Sequence, residues 1–210
     1  GLRPLIEEEG KSASQLSRKD EIFESESGLL SIAGGKLTGY RKMAERIIDL
    51  LGKRMKEDNG KKIPDCKTDK IMLAGSGFKD GQDVTNYESY IRGRVTEMGL
   101  DPYYAEYLVG NYGKQVEEIF RIYKSRKEPD PEIRLALSEL EFTVQEEAVH
   151  SIMDFFERRT GRLYFNINTI PKLIEPIFDY LSKNFGWSDD RRRHEQAWLE
   201  KSLKVASQFV

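Results

Sequence analysis

The chain has 210 residues, 38% hydrophobic and 33% charged, a composition that supports one substantial core or two small ones and excludes disorder along the whole length. Its 34 basic and 36 acidic residues leave a formal net charge of -2, which excludes a global positive field that would gather nucleic acid or an anionic membrane surface. No apolar run reaches the roughly 18 residues that a membrane span requires, no signal-peptide pattern is read, and one cysteine, Cys66, excludes an internal disulfide and points to a reduced, cytoplasmic compartment.

The opening Gly1-Leu2-Arg3-Pro4-Leu5-Ile6 reads as a strand already under way, so the chain is expected to be a fragment. Two further short apolar runs, Asp20 to Phe23 and Leu29 to Ala33, are separated by Gly, Ser and charge and predict two more strands. From Tyr40 to about Met55, the residues Met43, Ala44, Ile47, Ile48, Leu50 and Leu51 have the spacing of an amphipathic helix. Thr38 is its expected N-cap, and Gly52 is expected to loosen its end.

Residues 56–82 are rich in Lys, Asp and Gly and predict a linker. Beyond it the pattern is helical, with helices predicted near 84–98, 102–111, 114–126, 131–140, 144–158, 169–185 and 189–207. The cuts fall at Gly99, Gly110, Gly113, Pro129-Asp130-Pro131, Gly161 and Gly186. Pro176 is expected to kink its helix or move its start. The resulting organisation is 1–55, a strand and helix remnant, then 56–82, a linker, then 83–210, an α-helical domain.

The segment Leu29-Leu30-Ser31-Ile32-Ala33-Gly34-Gly35-Lys36-Leu37-Thr38-Gly39-Tyr40-Arg41-Lys42-Met43-Ala44-Glu45 is a strand that turns through two glycines into a helix. The first N-H groups of a helix have no partner within it, and the aligned peptide dipoles place partial positive charge there. Two residues without side chains let a flat ligand approach the backbone. Taken alone, the same pattern also describes a tight turn that lets helix and sheet pack.

Gly1-Leu2-Arg3-Pro4-Leu5, Ser17-Arg18-Lys19-Asp20 and Gly34-Gly35-Lys36-Leu37-Thr38-Gly39-Tyr40-Arg41-Lys42-Met43-Ala44-Glu45, in this order and spacing, resemble the FAD-dependent glycerol-3-phosphate dehydrogenase family. The helical stretch resembles that family's C-terminal cap through Tyr107-Leu108-Val109, Tyr112-Gly113 and Asp154-Phe155-Phe156-Glu157-Arg158-Arg159-Thr160. The implied fold class is mainly α, a helical cap domain preceded by a short strand and helix remnant of the FAD-binding and substrate domains.

By position, the resemblance implies substrate contacts from Arg3, Arg18 and Lys36 and flavin contacts from Gly34, Gly35, Lys36, Leu37 and Thr38. One departure is Thr38-Gly39, where the family often has two threonines before the tyrosine, which removes a side chain but keeps the backbone. The implied reaction of the full-length protein is oxidation of glycerol 3-phosphate to dihydroxyacetone phosphate by hydride transfer to FAD, with electrons passing to the quinone pool. A peripheral position at the inner face of the cell membrane is an option that goes with that acceptor.

The family's Gly-x-Gly-x-x-Gly pyrophosphate loop is absent, and Gly75-Ser76-Gly77 copies only its first half. Oxidising a secondary alcohol also needs a base. The two histidines, His150 and His194, are expected on solvated helix faces, so the base is expected outside this chain. The fragment alone is expected to be inactive and not to retain FAD, with no metal site and no nucleic-acid partner. A glycerol-3-phosphate oxidase that uses oxygen and a helical module that forms a homodimer are the alternatives.

Overall fold

The computed structural model describes residues 20–208, in which two strands are followed by a succession of helices. The fold is mainly α, as the sequence predicts, and the chain divides into two compact units between Ile71 and Met72.

In the first unit β1 (Asp20–Glu24) and β2 (Leu30–Gly34) form an antiparallel hairpin with Ile22 opposite Ile32. The predicted strand Leu2 to Ile6 lies outside the described residues. A 3-10 turn, Leu37–Gly39, leads into α1 (Tyr40–Asn59). Arg46 of α1 pairs with Asp20, and Arg54 pairs with Glu24 at 2.6 Å. Eight residues of helix advance about 12 Å and four of strand about 13 Å, so the two ion pairs fall in register along strand and helix.

Two expectations for α1 are corrected. Thr38 is not its N-cap: it sits inside the 3-10 turn, where the Gly39 N-H donates to the Lys36 carbonyl at 2.8 Å, and no side chain caps the helix. Gly52 does not loosen the end either. The helix continues to Asn59 and stops at Gly60, where a φ of 71° lets the N-H groups of Gly60 and Lys61 close on the carbonyls of Lys56 and Met55. Gly52 is buried, and a Cβ there would lie 2.5 Å from Ile63 Cδ1, so its lack of a side chain seats the segment that follows the helix.

The second unit contains α2 (Gly81–Glu97), α3 (Tyr103–Tyr112), α4 (Val116–Ser125), α5 (Pro131–Glu146), α6 (Arg162–Phe165), α7 (Ile170–Phe185) and α8 (Asp189–Ser207). Local chemistry fixes their starts: Asp80 caps α2, Asp130 caps α5 with Pro131 in its first turn, and Ser188 caps α8. Their apolar faces form two clusters, one around Ile119, Phe120 and Leu108, the other around Phe155, Ile177 and Leu140. Among the described residues, no helix is long and apolar enough to cross a membrane.

The predicted helix 144–158 does not exist as one element. The Thr143 carbonyl accepts from both Glu147 and Val149, Ala148 takes a φ of 56°, and the chain resumes as a π-helical turn, Asp154–Arg159. The Asp154 carboxylate takes the N-H groups of His150 and Ser151, at 3.1 and 2.9 Å, in place of helical carbonyls. Val149, Ile152, Met153, Phe155 and Phe156 are all buried, which is why the apolar spacing reads as continuous. Pro176 lies within α7, whose start is not displaced.

The Gly75-Ser76-Gly77 stretch is a docking point within the second unit. The Gly75 carbonyl accepts from the Lys114 N-H at 2.9 Å, and a Cβ on Gly113 would lie 2.1 Å from that carbonyl oxygen. Backbone packs on backbone here, and Gly113 has a φ of 53°, so glycine is required twice over.

Candidate functional site

The turn between β2 and α1 is built from two residues in the left-handed region, Gly34 with φ 84° and Gly35 with φ 76°. Lys36 then returns to an extended backbone before the 3-10 turn. A Cβ on Gly35 would lie 2.8 Å from Met43 Sδ, whereas one on Gly39 would meet nothing within 4 Å. Gly35 therefore lets α1 seat against the strand, and Gly39 leaves the mouth of the turn open.

A shallow cavity of about 320 Å³ lies against this turn, lined by Asp20, Gly35, Lys36, Gly39, Lys42, Met43 and Arg46. Asp20 is neutralised by Arg46, and Lys42 pairs with Glu45 at 2.7 Å. The hydrogen bond from Lys42, with Arg41 beside it, holds the Glu45 carboxyl below the usual range. Lys36 is exposed and has no ion-pair partner among the described residues. The cavity thus combines the Lys36 side chain with the open backbone at Gly39, and the amides of Leu37 and Thr38, which have no partner within the 3-10 turn, lie between those two residues in the chain.

Of the residues singled out in the sequence, Gly34, Gly35, Lys36, Leu37 and Thr38 come together on this one turn. Leu37 is 91% exposed, so its side chain does not cover the amides. Arg3 and Arg18 lie outside the described residues. His150 is exposed in the turn that precedes the π-helical element, its ring 5.1 Å from that of Phe185, and His194 is exposed on α8. No group of His, Cys, Asp or Glu among the described residues could hold a metal ion.

The sequence reading missed a buried polar cluster in the second unit. Glu139 and Arg162, 0% and 2% exposed, are 2.6 Å apart, and the hydroxyls of Tyr107 and Tyr112 donate to the other Glu139 oxygen at 2.7 and 3.1 Å. Burial opposes the charge on Arg162, but the neighbouring Tyr107 and Glu139 outweigh it and raise its pKa. Burial, with the Glu139 charge, also holds both tyrosines well above the usual phenol range. One signal was available: Glu139 is a charged residue at an apolar position of α5, between Leu135 and Phe142.

The Arg191-Arg192-Arg193 run is distributed over separate acids. Arg191 lies 2.5 Å from the buried Glu195, Arg192 reaches Glu175 and Asp179 at 2.9 and 3.0 Å, and Arg193 pairs with Asp190. The second oxygen of Glu195 accepts the Ile152 N-H at 3.0 Å and ties α8 to the broken segment after α5.

Residues 66–192 match the family described as the C-terminal domain of alpha-glycerophosphate oxidase. The aerobic glycerol-3-phosphate dehydrogenase of Bacillus subtilis (strain 168) is 40% identical over 209 residues, 98% of this chain and 38% of that protein. The enzyme of the same name from Staphylococcus saprophyticus is 40% identical over 210 residues, 98% of this chain and 36% of that protein. The solved structure of the glycerol-3-phosphate dehydrogenase from Bacillus halodurans, complexed with FAD, superimposes with a TM-score of 0.75 at 33% identity, covering 90% of this chain and 38% of that one. The chain therefore spans under two fifths of the length of these relatives.

Proposed function

The chain belongs to the family of the C-terminal domain of alpha-glycerophosphate oxidase, and from that premise we propose that it is part of an FAD-dependent oxidoreductase that converts sn-glycerol 3-phosphate to dihydroxyacetone phosphate. The observation that carries this reading is the likeness over 98% of the chain to a glycerol-3-phosphate dehydrogenase, which includes the Gly34 to Thr38 turn. FAD, when bound, supplies the hydride acceptor.

The residues of the turn fit such a group. Gly39, over which a Cβ would meet nothing within 4 Å, leaves the backbone open, and the N-H groups of Leu37 and Thr38 would stabilise the negative charge that a reduced flavin edge gathers. Lys36 stands at the junction with the substrate, its ammonium available to a phosphate or to the flavin edge. Arg3 and Arg18 complete the assignment as phosphate or hydroxyl contacts, because a guanidinium holds a phosphate by two hydrogen bonds at once. The base that takes the substrate hydroxyl proton comes from the part of the protein outside this chain.

The test is substrate-dependent bleaching of the flavin in the full-length protein. Wild type is expected to bleach with glycerol 3-phosphate, and Arg3→Ala, Arg18→Ala and Lys36→Ala are each expected to need at least about tenfold more substrate, the loss of one charged hydrogen bond. Wild-type protein that holds FAD but ignores this substrate would overturn the reading. Electrons then pass to the membrane quinone pool by peripheral contact at the inner face. Oxygen is the second reading, favoured by the oxidase in the family's description, and an acceptor assay with quinone against oxygen separates the two. Homodimerisation through the helical unit is tested by sedimentation at two concentrations.

A further inference from the structure

One face of α3 carries Tyr103, Glu106, Tyr107 and Gly110 at helical spacing, and this face forms one wall of a cavity of about 360 Å³ whose other wall includes Phe165, at the end of α6. The volume lies at the small end of ligand pockets. Tyr103 stacks on Tyr107 with ring centroids 6.2 Å apart and 28° between planes. Tyr107 is fixed from behind, because its hydroxyl is bound to Glu139 and the Arg162 guanidinium lies 5.2 Å from its ring centroid. Phe165 by contrast is 85% exposed and Tyr103 is 45% exposed, so both offer aromatic surface to solvent.

The charge at this cavity has one sign. Glu139 cancels the nearby Arg162, no cationic side chain is among the lining residues, and Glu106 is exposed with no ion-pair partner among the described residues. Aromatic faces beside an uncompensated carboxylate attract a cation, and a poorly hydrated organic cation more than a small inorganic one, because less hydration is lost on entry. The open space over Gly110, where a Cβ would meet nothing within 4 Å, leaves room for a bulky head.

We propose that the cleft between Tyr103, Glu106 and Phe165 is a binding site for a quaternary ammonium group. The site is built from residues of the second unit alone, and its inference does not rest on the reaction proposed above.

The test is a two-dimensional NMR titration of the chain with choline, run beside its neutral isostere 3,3-dimethylbutanol, beside potassium chloride, and beside free trimethyllysine. Choline is expected to give saturable amide shifts confined to residues 103–111 and 160–166, with smaller shifts from the isostere and none from potassium. Glu106→Gln and Phe165→Leu change exposed side chains without touching the core, and each is expected to weaken choline at least tenfold, whereas Phe165→Tyr keeps it. Tighter binding of trimethyllysine would identify a methylated peptide side chain as the source of the ammonium group, and tighter binding of choline a small molecule. Equal shifts from choline and its isostere, non-saturable shifts, or unchanged binding in Glu106→Gln and Phe165→Leu would overturn the proposal.

Discussion

The two units hold themselves together by different means. Among the described residues, every buried hydrophobic residue falls between Ile91 and Leu199, in the second unit, whereas the only buried one in the first is Gly52. Among its described residues the first unit leaves Phe23, Leu29, Leu37, Tyr40, Ile48 and Leu51 exposed and joins α1 to β1 through the exposed pairs Asp20-Arg46 and Glu24-Arg54. Burial of apolar surface is the dominant favourable term in folding, and exposed ion pairs add little. The comparison teaches that the helical unit carries its own stability, while the unit with the candidate site presents surface and charge.

The sharpest way to break this comparison is at the buried ion pair. Glu139→Ala leaves the guanidinium of Arg162 buried and unpaired, and about 3–5 kcal/mol of stability is expected to disappear in urea unfolding. Replacing both partners, as Glu139→Leu with Arg162→Met, is expected to recover only part of it, because the hydroxyls of Tyr107 and Tyr112 lose their acceptor. A double variant no more stable than the single one would show that the pair is irreplaceable rather than merely costly to break. Next comes the core: Phe120→Ala, at 0% exposure, is expected to cost about 3–5 kcal/mol, against no more than about 0.5 for Phe23→Ala at 46% exposure. Similar losses for the two phenylalanines would erase the contrast between the units.

Gly113→Ala is expected to cost about 1–3 kcal/mol, since it puts a side chain at a left-handed position against the Gly75 carbonyl. It should also open the 72–79 segment to limited proteolysis, which is the more specific readout.

Alkaline pH acts on the buried tyrosines of the second unit. Tyr87 is pushed up to about 12, mainly by burial, and burial holds Tyr107 and Tyr112 well above the usual phenol range. A raised folded pKa means that the folded chain holds protons that the unfolded chain releases above about 10. The tyrosine contribution is thus complete below pH 10 and declines as pH rises from there to about 12 and beyond. Phenolate absorbance should show these three hydroxyls titrating only with unfolding, and early titration of all tyrosines would contradict the burial. The smallest effect is expected from Arg54→Ala, whose unfolding midpoint should differ from wild type by less than that of any core variant.

Much of the fold is legible in the residues themselves. The helix start at Asp130, the stop at Gly186 and the apolar spacing of α1, α4 and α7 are local signals that the residues carry, because a helix end is satisfied by the residues next to it. The turn at Gly34 and Gly35 is equally local, and the sequence by itself determined that these residues would stand together at the start of a helix.

What only the tertiary structure decided depends on partners distant in sequence. Gly52 is explained by Ile63, and Gly113 by Gly75. The break after α5 is held partly by Glu195, 43 positions from the amide of Ile152 that it accepts. The carboxylate of Glu139 is tolerated in the core only because Arg162, Tyr107 and Tyr112 converge on it from two other helices. Periodicity reports which face of a helix is apolar. It carries no record of which remote group will satisfy a polar atom on that face, because that pairing exists only once the helices have packed.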